Sequence, residues 1–126
     1  MKAEDLMVGD FVLFKNKIVC VKGVFAYMIT IKDNSMIGQE DLSPIPITPE
    51  ILEKNGFKYN KKYNAYKIIL KDGEDLIYYI GQKSLYLFIS HNNEHDWDEE
   101  LHVYMENVHE MQHALRLMKI NKKIEL

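Results

Sequence analysis

Cysteine is almost missing from this chain. Cys20 stands alone, so no disulfide can form within it. It lies in the apolar run Ile18-Val19-Cys20-Val21 and reads as a small core residue of a reducing compartment. Long hydrophobic runs are missing too. None approaches the roughly 18 apolar residues that a membrane-crossing helix needs. The opening Met1-Lys2-Ala3-Glu4-Asp5-Leu6 is acidic where a secretory leader would be apolar, so a cytoplasmic protein with no membrane partner is expected. There is no excess of basic residues. The net charge of −3 and pI near 5.9 argue against a general binder of phosphate backbones. Neither a phosphate-cradling glycine loop nor a serine-nucleophile motif occurs.

Proline is scarce as well, and its three copies are gathered at Pro44, Pro46 and Pro49. Pro44 and Pro46 have fixed φ and push the residues before them toward extended backbone, so a strand should end near Leu42. Thr48 is a good N-cap, Pro49 fits the first helical position and Glu50 suits the helix dipole. Ile47 and Leu52 occupy the positions of a hydrophobic staple. Gly56 is a natural left-handed stop, after which Phe57 can fold back on Leu52. A helix of about two turns follows, too short to stand without tertiary packing.

This stretch organises the chain. One domain spanning 1–126 is expected, with a β-rich subregion at 1–46, the helix and its caps at 47–57, and a β-meander with a C-terminal helix at 58–126. In the first subregion Phe11–Phe14 and Ile18–Val24 read as a hairpin turning at Asn16-Lys17, followed by a strand at Tyr27–Ile31. A small bent sheet or an SH3-like partial barrel would accommodate them. In the second, strands are expected at Tyr63–Leu70, Leu76–Ile80, Leu85–Ile89 and Leu101–Met105. Alternation places Leu85, Leu87 and Ile89 on one face and Tyr86 and Phe88 on the other. Leu101, Val103 and Met105 alternate in the same way with His102 and Tyr104. A helix near Val108–Met118 carries an apolar stripe of Val108, Met111, Ala114, Leu115 and Met118, suited to covering the aliphatic face of the meander. His109, His113 and Arg116 fall on its opposite side, where surface positions are expected. The tail Ile120–Leu126 suits an edge strand. The fold class is therefore α+β.

Three groups of residues have functional potential. The first is aromatic: Trp97, Tyr86, Phe88 and Tyr104 are candidates for a protein-interaction surface, since aromatic rings combine apolar area with polar handles. The acidic stretch His91–Glu100 flanks Trp97; it lacks the glycine of an EF-hand and reads as a solvated loop. The second is basic: Lys58, Lys61, Lys62 and Lys67 interleave with tyrosines in a pattern compatible with stacking bases and contacting phosphates. The third is His109-Glu110-Met111-Gln112-His113, a formal match to H-E-x-x-H, whose i, i+4 histidines can reach one metal. No glycine-containing extension with a third histidine follows it, and only residues 114–126 remain for a downstream ligand, so neither zinc nor another cofactor is expected. A non-enzymatic module with a protein partner is the leading expectation. Nucleic-acid binding and a metal-dependent hydrolase are the alternatives.

The segment Leu42–Phe57, together with Asn107-Val108-His109-Glu110-Met111-Gln112 and the opening Ala3–Val12, resembles a family of small uncharacterised proteins. These occur in gut anaerobic bacteria and in their phages or mobile elements. The resemblance implies such an origin. It brings no activity and no catalytic residue.

Overall fold

The computed structural model describes residues 1–32, 35–71, 73–90 and 97–126, with backbone alone at positions 71, 90 and 97–101. The fold is α+β. Among the described residues eleven strands form three open antiparallel sheets, accompanied by two α-helices. The chain divides into two compact units, residues 1–46 with 107–123 and residues 47–106 with 124–126.

In the first unit, β1 (Phe11–Phe14) pairs with β2 (Lys17–Cys20) on one side and β6 (Leu42–Ser43) on the other. Phe14 faces Lys17 in the register, so the turn is Lys15-Asn16, one residue earlier than expected. Both have positive φ, +49° and +61°, the geometry of the tight hairpin turn whose twist matches that of the strands. The expected single strand Ile18–Val24 is two strands. Val21 O accepts from Gly9 N–H and Val21 N–H donates to Asp10 O, the last bonds with the β1 side, and at Lys22 the chain begins to bond Thr30 instead. Beyond this change of partner, β3 (Gly23–Phe25), β4 (Met28–Thr30) and β5 (Met36–Gly38) form a second three-stranded sheet. The sheets do not close into a barrel. Ala3, Leu6, Val12, Val21, Ile29, Ile37 and Leu42 are buried together as the core of this unit.

The helix α2 (Val108–Leu117) belongs to this unit, where it packs on β1; it was expected to lie on the meander. Glu110 Oε1 accepts from both the backbone and side-chain nitrogens of Asn107, fixing the first turn. The last turn closes with Lys119 N–H on Arg116 O and Ile120 N–H on Leu115 O. This Schellman stop puts Lys119 at φ +57°. Gln112 Nε2 donates to Gly9 O and its Oε1 accepts from Phe11 N–H, both at 2.9 Å, so one side-chain amide mimics a neighbouring strand. Cys20 is only half-buried, because the outer face of β1 and β2 carries it.

The second unit begins with α1 (Pro49–Lys54), which has the expected caps. Thr48 Oγ1 accepts from Ile51 N–H at 3.3 Å, Gly56 takes φ +89°, and Phe57 N–H returns to Leu52 O at 3.0 Å. Five strands follow in the order β11-β10-β9-β8-β7: β7 (Lys58–Asn60), β8 (Ala65–Lys71), β9 (Glu74–Tyr79), β10 (Ser84–Ser90) and β11 (Trp97–Tyr104). The meander topology is as expected. The polar β7 is additional, and β11 starts four residues early, so Trp97–Glu100 are strand and not loop. Tyr66, Tyr78, Leu76 and Leu85 are buried on the inner face. Tyr78 donates its hydroxyl proton to Met105 O at 2.9 Å. The expected edge strand at 120–126 does not form. Instead Asn55 clamps Glu125, accepting from its N–H at 2.7 Å and donating to its carbonyl at 2.8 Å, while Ile124 is buried.

Candidate functional site

The strand period places a second set of side chains on the outer face of the meander. Register aligns His102, Tyr86, Ile77, Lys67 and Lys58 in one row across the five strands. Ser84 separates Tyr104 from Tyr79 in the next row, and Phe88 faces Asp75 on the other side. The rings assemble. Tyr86 stacks on His102 with centroids 4.2 Å apart and planes 11° apart, and on Phe88 at 5.7 Å and 13°. Tyr79 meets the Tyr86 ring edge-on at 5.2 Å. Small Ser84, buried at the start of β10, leaves room for the flanking tyrosines.

The polar atoms of this face are tied to one another. Tyr104 donates to the Glu106 carboxylate, and Lys83 Nζ lies 3.6 Å from the same group. The Tyr104 hydroxyl first, and Lys83 second, hold Glu106 below the usual carboxylate range. Burial raises the Tyr79 phenol, and the neighbouring Tyr86 and Tyr63 add to the rise. A shallow cavity of about 240 Å³ opens beside the stack, lined by Tyr63, Lys67, Asp75, Ile77, Tyr79 and Phe88.

Of the expected interaction residues, Tyr86, Phe88 and Tyr104 share this face. The Trp97 side chain lies outside the described residues, as do residues 91–96 of the acidic stretch. His102 joins the face as alternation along β11 requires. Tyr79 and Asp75 are new; only the pairing register brings them there. The tyrosines are not all alike, since Tyr66 and Tyr78 belong to the buried face.

The four candidate lysines do not form one cluster of free cations. Lys58 and Lys67 are register partners, but Lys67 Nζ lies 3.0 Å from Asp75. Lys62 sits over the Tyr63 ring, 5.3 Å from its centroid, and Lys61 is exposed in the turn before β8. The second unit holds seven lysines against twelve acidic residues, a formal balance of −5. That field repels a phosphate backbone.

The H-E-x-x-H residues are engaged within the first unit. Glu110 caps its own helix. His113 Nε2 lies 2.6 Å from Oδ2 of Asp10, whose Oδ1 accepts from Arg116 at 3.1 Å. Asp10 is fully buried and also accepts from Met7 N–H at 2.8 Å. His109, expected at the surface, is 7% exposed, and its Nδ1 is buried with no hydrogen-bond partner. The surface expectation fails because residues 7–11 dock on this side of the helix through Asp10 and Gln112. The two imidazoles meet edge-on with centroids 5.7 Å apart. They border an open polar cavity with Glu4, Asp5, Met7 and Glu110. Among the described residues no three His, Cys, Asp or Glu side chains are grouped to hold a metal ion.

No protein-family model, curated protein or solved structure matches the chain. Among the described residues no helix is long and apolar enough to cross a membrane.

Proposed function

We propose that this chain is a non-enzymatic protein-interaction module that receives its partner on the outer face of the meander. The observation that carries this reading is the pre-stacked series Phe88, Tyr86 and His102, with Tyr79 and Tyr104 beside it. Rings that already support one another lose little freedom on binding, and aromatic side chains supply much of the affinity of protein interfaces. The strongly acidic balance of the second unit favours this reading over nucleic-acid binding. The phage or mobile-element setting implied by the sequence resemblance is part of the proposal, and it indicates where a partner is to be sought.

The test places a photo-crosslinking amino acid at Tyr104 and compares capture from phage-infected and uninfected bacterial lysates. A second crosslinker at exposed Lys2 serves as the control. A discrete protein adduct at position 104, lost in Tyr86→Ala and His102→Ala variants of unchanged melting temperature, supports the assignment. Equal capture by the variants and the parent would remove the aromatic face from the binding surface.

A further inference from the structure

The cavity beside the aromatic stack has a composition that selects for charge. Tyr63, Tyr79 and Phe88 offer ring surface, Ile77 lies among them, and the Asp75 carboxylate is set in the wall. Asp75 is only 5% exposed, so its charge is poorly screened by water. Ring faces and a desolvated carboxylate both attract cations.

The protein's own side chains already behave this way. Lys67 Nζ lies 3.0 Å from Asp75, and Lys62 is drawn over Tyr63. The Lys67 side chain is 36% exposed and flexible, so it can yield its place to another cation. An incoming anion would meet Asp75 and the −5 balance of the unit. An uncharged apolar side chain would give nothing to the carboxylate if it displaced Lys67.

We infer that this cavity receives a lysine side chain of the protein partner, which replaces Lys67 at Asp75 and lies between Tyr63, Tyr79 and Phe88. The inference rests on the proposed docking face and adds the chemistry of what docks there. A lysine fits because its aliphatic stem can cover Ile77 and Tyr79 while its ammonium reaches the carboxylate. Charge complementarity with the acidic unit brings basic segments to the face in preference to acidic ones.

The experiment uses the full chain and three bead-displayed peptide libraries, randomised around a fixed central lysine, acetyl-lysine or leucine. The expected result is binding to the lysine library at least about tenfold above the other two, a difference of about 1.4 kcal/mol. Asp75→Asn should abolish the preference. Lys67→Met removes the internal competitor and should strengthen lysine binding several-fold. That second variant retains the carboxylate, so it tests the cavity even if Asp75→Asn does not fold. Tyr86→Ala should weaken binding of all peptides. Binding without lysine preference would overturn the inference and leave the aromatic face standing. A preference unchanged in Asp75→Asn and Lys67→Met would place the lysine elsewhere. Free n-butylamine competing as well as the peptides would make the cavity a small-amine site and not a partner contact. Absence of binding to every library would reject both the inference and the docking face for extended segments.

Discussion

Asp10 and His113 lie 103 positions apart in sequence and 2.6 Å apart in space, and the carboxylate between them and Arg116 has no solvent exposure. This contact ties the segment before β1 to helix α2. A buried carboxylate is tolerated only when its oxygens are fully used, and here Met7 N–H, His113 and Arg116 use them.

Removing that acceptor should therefore cost more than a surface substitution. Asp10→Ala is expected to destabilise the first unit by about 2–4 kcal/mol, because three donors lose one partner. Urea denaturation read by near-UV circular dichroism measures the loss. A double-mutant cycle with His113→Ala should give a non-zero coupling. Additive effects would show that the 2.6 Å contact contributes nothing specific.

Acid should weaken the first unit through His109. Burial lowers the pKa of this imidazole from its ordinary value of 6.5; Glu110 and Asp10 oppose the shift, His113 reinforces it and Asp5 opposes it. The unfolded chain therefore binds the proton more readily than the fold. The associated stability is fully present above pH 6.5 and is lost as pH falls below it, toward the lowered folded-state pKa. His109→Leu removes both the titration and the orphaned Nδ1. The difference in melting temperature between variant and parent should move in the variant's favour below pH 6.5. A pH-independent difference would show that His109 is not responsible.

Asn55 should control the tail. Its two bonds to Glu125 are the side-chain contacts that hold the backbone at that residue. Asn55→Ala is expected to cost about 1–3 kcal/mol and to speed hydrogen exchange at Glu125. Unchanged exchange would mean that burial of Ile124 holds the tail alone.

The stop of α2 can be improved. Lys119 occupies a left-handed position that glycine tolerates better, so Lys119→Gly should stabilise the protein by about 1 kcal/mol. The midpoint of urea unfolding is the measurement. A lower midpoint would show that glycine's chain entropy outweighs the relieved backbone strain.

What could be read in the sequence was local. Thr48, Pro49, Gly56 and Phe57 act on neighbours within one or two turns, and the observed caps of α1 match the expectation. Leu85 to Ile89 alternate, so their faces were legible before their partners were known. The change of sheet at Val21 and Lys22 was not, because one apolar run serves two ladders without a break in composition. Nor was β7, whose residues Lys58, Tyr59 and Asn60 carry no apolar alternation. The histidines of α2 were misplaced because helical periodicity assumes one buried side. Gln112, Asp10 and the segment around them bury a second side from far away in the chain. For the candidate site, Tyr86, Phe88 and Tyr104 followed from period two, whereas Tyr79 and Asp75 needed the register.

The division of the chain also sets an order of assembly during translation. The sheets of the first unit emerge from the ribosome first, yet α2, which packs on β1, is encoded after the whole meander. At elongation rates of about 5–20 residues per second the intervening residues 47–106 take about 3–12 s to synthesise. Throughout that interval β1 lacks the helix that packs on it, and Asp10 sits without His113 and Arg116. The nascent chain is then most open to proteases and chaperones. The meander, flanked on both sides by the other unit's sequence, can form before the older half is finished.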